Sequence, residues 1–202
     1  MIEAALKARK NPGQPRSRAT VEAIVEAAAR VLETAGPAGF NTNAVARRAG
    51  VSVGSLYQYF PGKQALIAEL SRRNADAALR GLAEAAERTA GRPLVERLRA
   101  FVRFAITQQG ARPRLSRILD QLEADLPLDS DARGTAPAIL AVLTPVLASG
   151  RGDLDPAVAG DCLALARALI DRALDREQHD GALEDRVVGA LAGYLRAAGV
   201  LV

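Results

Sequence analysis

Between residues 41 and 63 the chain runs Asn-Thr-Asn-Ala-Val-Ala-Arg-Arg-Ala-Gly-Val-Ser-Val-Gly-Ser-Leu-Tyr-Gln-Tyr-Phe-Pro-Gly-Lys. Its punctuation spells a short helix, a tight turn and a second short helix. Gly50 stands where a helix over residues 43–49 must stop, because glycine adopts positive φ without steric cost. Val51 is apolar and anchors the turn. Ser52 is placed to cap a helix over residues 53–59 by accepting a backbone N–H. Pro61 closes that helix, since its ring disfavours helix at the preceding residue. Two short helices joined by a glycine-containing turn form a helix-turn-helix, the arrangement that lays its second helix in a DNA major groove.

An ordinary hairpin inside a helical bundle is the competing reading, and two details count against it. The second helix is poor in aliphatic residues, since Val53, Gly54, Ser55, Gln58 and Tyr59 are small, polar or amphipathic. Lys63 then opens the next helix with a cation, which is unfavourable at a helix N-terminus unless an anion lies nearby. A DNA phosphate is such an anion. The charge distribution points the same way. Residues 1–63 hold nine Lys/Arg against four Asp/Glu, a balance of +5, whereas residues 64–202 hold eighteen against nineteen, a balance of −1. The positive excess coincides with the motif, as expected for a nucleic-acid-binding domain.

The stretch from Ala46 to Lys63, with an amphipathic helix before it and a long helix after it, closely resembles the N-terminal domain of the TetR/AcrR family of transcriptional regulators. The resemblance is specific over about residues 16–70. It implies phosphate contacts from Asn41, which also caps, and from Thr42, Tyr57 and Lys63. It places Ser52, Val53, Gly54 and Ser55 in the turn that faces the groove floor, with Asn43, Gln58 and Tyr59 within reach of bases or backbone. Val53 departs from the polar residue often found there; it can meet a thymine methyl but leaves fewer hydrogen-bonding groups for base readout.

The rest of the chain reads as helix. Alanine, leucine, arginine and glutamate favour it, and aromatic residues are only 3%. The expected fold is all-α: an N-terminal three-helix helix-turn-helix domain joined by a long helix to a C-terminal helical bundle. Residues 1–15 are expected to form a flexible basic arm, 16–63 the DNA-binding domain, and 64–202 a ligand-sensing and dimerisation domain. Residues 4–18, with Lys7, Arg9, Lys10, Arg16 and Arg18 and no acid, read as that flexible basic arm, fit to lie along phosphates or to enter the minor groove. Helices are expected over residues 17–35, from 63 to about 89, then 93–109 ending at Gly110, 113–125, 130–149, 155–177 and 182–198. Phe40, Leu56 and Phe60 are expected in the core beneath the motif.

Catalytic chemistry finds no support. His179 lies in a polar stretch, and Glu123, Asp125, Asp129 and Asp131 suit caps and a solvated loop better than a carboxylate dyad. Neither a Cys/His cluster with metal spacing nor a phosphate loop is present, so no metal, cofactor or enzymatic activity is expected. Cys162, alone in an apolar stretch, fits a buried small hydrophobe in a reducing compartment. No apolar run is long enough to span a membrane, and the N-terminus lacks a signal peptide's order, so a cytoplasmic location is expected.

These features lead to a homodimeric, sequence-specific regulator, a repressor released from its operator by a small-molecule effector. The resemblance implies that the last two helices form the dimer interface; interspersed small residues suit close packing there. Phe101, Phe104, Gln108, Leu119, Leu122, Leu143 and Leu147 are the candidate effector contacts, and arginines such as Arg97, Arg99 and Arg103 leave an anionic effector open. A constitutive or architectural DNA-binding protein without an effector is the alternative, with a filled C-terminal core.

Overall fold

The computed structural model describes residues 15–125, 136–148, 154–176 and 182–201. Among them the chain is helix and connecting turns, with no strand. The helices are α1 (Pro15–Gly39), α2 (Thr42–Ala49), α3 (Val53–Tyr59), α4 (Lys63–Arg88), α5 (Leu94–Ala111), α6 (Pro113–Asp125), α7 (Ala136–Leu147), α8 (Pro156–Asp175) and α9 (Ala182–Ala197). His179, Asp129, Asp131 and the basic residues before Pro15 lie outside the described residues.

Most boundaries fall where glycine, proline or a capping side chain puts them. Gly36 takes φ 65° and breaks the regular course of α1 just before Pro37, as the Gly-Pro pair demands. Gly91, at φ 75°, turns the chain after α4. Asp155 caps α8 by accepting from the Ala157 N–H at 2.9 Å, with Pro156 as its first residue. Two expectations fail. Gly110 does not end α5, which continues to Ala111; the stop belongs to Pro113, which disfavours helix at Arg112, found at φ −144°. Arg16 and Arg18 stand on the first turns of α1 and not in an extended arm.

The chain divides into two compact units. One comprises residues 1–75 and 114–132, the other residues 76–113 and 133–202. Helix α4 therefore contributes its first half to one and its second half to the other, and α6, expected from sequence in the second domain, counts with the first. In the first unit α1 buries Val21, Ile24, Val25, Ala28 and Leu32 at helical spacing. Against that face pack Val45 of α2, Leu56 of α3, Leu66 and Leu70 of α4, and Leu115, Ile118 and Leu119 of α6, with Phe40 and Phe60 among them. The start of α4 is also braced by charge. Arg73 donates to Glu22 of α1 at 2.5 and 2.9 Å and to Glu69 at 2.7 Å, and Arg72 donates to Glu69 at 2.8 and 3.1 Å. Burial alone would raise the Glu69 carboxyl, but the hydrogen bonds from Arg72 and Arg73 outweigh it and hold it below its usual value.

The second unit has two apolar clusters. One joins Leu98 and Val102 of α5, Leu147 of α7, Val158, Cys162 and Ile170 of α8, and Leu183, Val187, Leu191 and Leu195 of α9. Burial there pushes the Cys162 thiol up to about 11, so it serves as a small hydrophobe. The other joins Leu82 and Ala85 of α4, Phe101 of α5, and Ile139 and Val146 of α7, with Phe104 and Leu143 packed against them. Here Phe104 lies directly on Gly81 of α4, so close that a Cβ at Gly81 would overlap its ring. An isolated glycine inside a helix commonly marks such an approach.

Two outcomes follow from this packing. Gly81→Ala should destabilise the protein by about 1–3 kcal/mol in urea unfolding, as overpacked cores do, and Phe104→Leu added to it should recover part of the loss. Glu69→Gln should cost stability at neutral pH. Because the folded-state carboxyl is depressed below about 4.5, that difference should be full above this value and fade as pH falls through the lower, folded one.

Candidate nucleic-acid interface

Helices α2 and α3 are held by capping and burial, not by length. Asn41 Oδ1 accepts from the Ala44 N–H at 2.9 Å, and its Nδ2 donates to the Gly39 carbonyl at 3.1 Å. At the other end of α2, Gly50 takes φ 69° and ψ 28°, and its N–H meets the carbonyl oxygens of Ala46 and Arg47. Val51 N–H bonds the Ala46 carbonyl at 3.0 Å, which completes a glycine-dependent helix stop. Arg47 and Arg48 occupy the last turn of α2, where cations complement the negative helix end. Ser52 Oγ then accepts from the Ser55 N–H at 3.0 Å and shares a 2.8 Å hydrogen bond with the Ser55 hydroxyl.

From beneath, Leu56 and Phe60 pin α3 to the first core with no solvent exposure. This orientation decides what the helix shows. Val53, Gly54, Tyr57 and Gln58 are exposed, as are Ser52, Asn41, Asn43 and Lys63. Tyr59 is half-buried and packs against the first core, so the core claims much of a ring that the sequence leaves within reach of bases. Between the helices, Thr42 Oγ1 and the Tyr57 hydroxyl share a hydrogen bond of 3.2 Å. Residues from the first turn of α2 and the middle of α3 thus converge with two hydroxyls side by side. Lys63 opens α4, which has no acidic side chain in its first turn; the cation and the positive end of the helix dipole lie together there.

The candidate effector residues are distributed differently. Phe101, Phe104 and Leu143 share one cluster of the second unit, while Leu147 sits in the other cluster of that unit. Leu119 and Leu122 pack with the core of the first unit, and Gln108 is half-buried on α5. Sequence reasoning missed the contacts that occupy two of the arginines. Arg103 donates to Glu184 at 2.8 and 2.9 Å, and Arg99 donates to Glu184 at 3.0 Å and to Asp185 at 2.6 Å. These carboxylates of α9 neutralise them, which weakens the reading of an anionic effector. Among the described residues no group of His, Cys, Asp and Glu can hold a metal ion.

Residues 24–70 match the profile of the bacterial regulatory proteins of the tetR family. The likeness in fold extends much further along the chain. A TetR-family transcriptional regulator from Streptomyces coelicolor superposes with a TM-score of 0.65 at 21% identity, covering 89% of this chain and 99% of its own. The fatty acid degradation regulator FadR from Bacillus halodurans gives 0.67 at 20% identity, over 85% and 97%. SmeT, the repressor of the Stenotrophomonas maltophilia multidrug efflux pump SmeDEF, gives 0.66 at 21% identity, over 90% and 92%. No sequence among the curated proteins matches the chain. The first helices of the chain thus match the tetR family of bacterial regulatory proteins, and the chain shares the fold of TetR-family transcriptional regulators.

Replacing Ser52 by Ala removes the cap acceptor of a very short helix. The expected loss is about 1 kcal/mol of stability in denaturant unfolding, with a normal circular dichroism spectrum before the transition.

Proposed function

We propose that the protein is a homodimeric repressor that leaves its operator when a small apolar effector binds in the second unit. In this reading Asn41, Thr42, Tyr57 and Lys63 meet phosphates, and Asn43, Ser52, Val53, Gly54, Ser55 and Gln58 meet base edges or the adjoining backbone, with the half-buried Tyr59 at their margin. The observation that carries the DNA half is the exposed face of α3 beside the Thr42–Tyr57 hydroxyl pair.

Gly54 adds an independent argument. A Cβ there would meet nothing nearer than Ser52 Oγ at 3.9 Å, and the residue lies inside a helix, where glycine costs up to about 1 kcal/mol relative to alanine. Among the described residues nothing requires glycine at this place. A surface outside the chain that must come close to the α3 backbone does, and the floor of a DNA groove is such a surface.

Support for the other half is of two kinds. Exposed small residues on α8 and α9 (Ala157, Ala164 and Ala168, then Gly189 and Gly193) suit close packing against a second copy. A two-fold dimer reads two half-sites about one helical turn, roughly 34 Å, apart. The cluster around Phe101, Phe104 and Leu143 offers apolar side chains to an effector. Two of the similar folds are, by name, a fatty acid degradation regulator and a multidrug efflux pump repressor. Helix α4 runs unbroken from Lys63 to Arg88, so an effector that favours one setting of its second half over another shifts the population competent for DNA. No described helix is long and apolar enough to cross a membrane, in keeping with action in the cytoplasm.

The test begins with selection of bound duplexes from a random-sequence pool and titration at about 150 mM salt, where non-specific binding is only ~10⁻⁴ to 10⁻⁶ M. Tyr57→Phe and Lys63→Ala should each weaken binding, and Lys63→Ala should also lower the salt slope by about 1. Gly54→Ala should move the two readouts in opposite directions, with stability raised by up to about 1 kcal/mol and operator affinity reduced. Operator affinity unchanged in Gly54→Ala would overturn the close approach. A monomer by light scattering, or a panel of apolar compounds none of which releases the operator, would overturn the dimeric and effector-responsive parts respectively.

A further inference from the structure

We propose that α3 reads DNA through a methyl group: the Val53 isopropyl packs on the C5-methyl of one thymine in each half-site, and that methyl governs sequence choice there. The inference rests on the DNA-reading assignment above and adds the chemistry of the base that is read.

Val53 and Tyr57 are the exposed large hydrophobic residues among those described, at 38% and 41%. Four residues apart on a helix, they share a face. Tyr57 has its hydroxyl engaged with Thr42. Val53 has no comparable role inside the chain, since it belongs to none of the apolar clusters and is not packed against the first core as Val51 and Tyr59 are. It is the first residue of α3, and the N-terminal residues of a recognition helix are those that contact base edges.

The chemistry of the groove then selects the partner. In the major groove the thymine C5-methyl is the apolar group that the base edges present, whereas guanine O6 and N7 are met best by arginine or lysine. Helix α3, Val-Gly-Ser-Leu-Tyr-Gln-Tyr, holds no charged residue. Its serine is hydrogen-bonded to Ser52 in the cap. Beside Tyr57, the side chains that α3 itself exposes for readout are the Val53 isopropyl group and the amide of Gln58, which suits adenine N6 and N7. Both fit an A·T pair. Gly54, with no side chain beside Val53, leaves the backbone free to approach closely enough for the two methyl surfaces to touch.

The experiment uses the full-length protein and the duplex it selects from a random-sequence pool. Each thymine of that duplex is replaced singly by deoxyuridine, which deletes the C5-methyl and keeps the hydrogen-bonding groups. Binding is measured for the wild type and for Val53→Ala, a change that favours helix; thermal unfolding verifies that the variant is folded. Burial of one methyl-sized group sets the expected effect at about fourfold in Kd for one thymine. The proposal expects one thymine per half-site where uracil weakens the wild type by about that factor and leaves Val53→Ala unaffected. Tight operator binding with no such position, or with an equal loss in Val53→Ala, overturns the methyl contact while the DNA-reading assignment stands. If the pool yields no enriched sequence, the DNA-reading assignment fails and this proposal falls with it.

Discussion

A seven-residue helix has no stability of its own in water, because nucleation costs more than so few hydrogen bonds return. The burial of Leu56 and Phe60 with no solvent exposure is therefore what makes α3 a helix at all. Everything the helix displays depends on it. Fixing those two side chains inward sets the rotation of α3, and that rotation is what leaves Val53, Gly54, Tyr57 and Gln58 outside. The Ser52 cap and the Thr42–Tyr57 hydrogen bond refine a position that the core has already chosen. A hydroxyl pair 41% exposed on its tyrosine side contributes little to stability, so its value lies in aim.

The local structure was legible because the residues that end helices act locally. Gly50, Ser52 and Pro61 each do one thing to their own neighbours, and α2 and α3 fall within a residue of where those three put them. Gly110 misled for the converse reason. A glycine is permitted inside a helix at a modest cost, whereas Pro113 compels a stop, and only the structure shows which of the two acts. Which side chains of α3 face outward was legible in the same way, except for Tyr59. An aromatic on a short helix is compatible with both a core and a groove, and the choice depends on α3's rotation.

Long-range partnership was not legible. The apolar stripe on α6, with Leu115, Ile118 and Leu119, announced that the helix is buried but not which core receives it. The brace from Glu22 to Arg73 joins residues fifty-one apart, and Arg99 and Arg103 find their acids more than eighty residues away. A charged residue in sequence carries no mark of its partner, so arginines that looked available for an anionic ligand were already neutralised. The same argument runs in reverse for α3. Its lack of charge is visible in sequence and is not altered by folding, so the division that the proposed reading makes, between a basic domain for attraction and an uncharged helix for discrimination, starts from composition alone.

The two halves of α4 are restrained by different means, and the difference bears on how the proposed response would travel. Its first half is held by apolar packing and by a charge network in which Arg73 and Glu22 are partly solvated, with side-chain exposures of 32% and 64%; exposed pairs of this kind exchange readily with water and yield at small cost. Its second half meets Phe104 at Gly81, where the ring occupies the volume that a side chain would take. A contact of that kind has no flexible atoms on the α4 side. If an effector displaces the Phe104 ring, the α4 backbone must follow or the contact must open, because there is no Cβ whose rotamer could absorb the change. A glycine contact of this kind passes a displacement of the ring to the helix backbone, and in the proposed response that is the step at which an effector's usual 1–3 kcal/mol of coupling would enter α4.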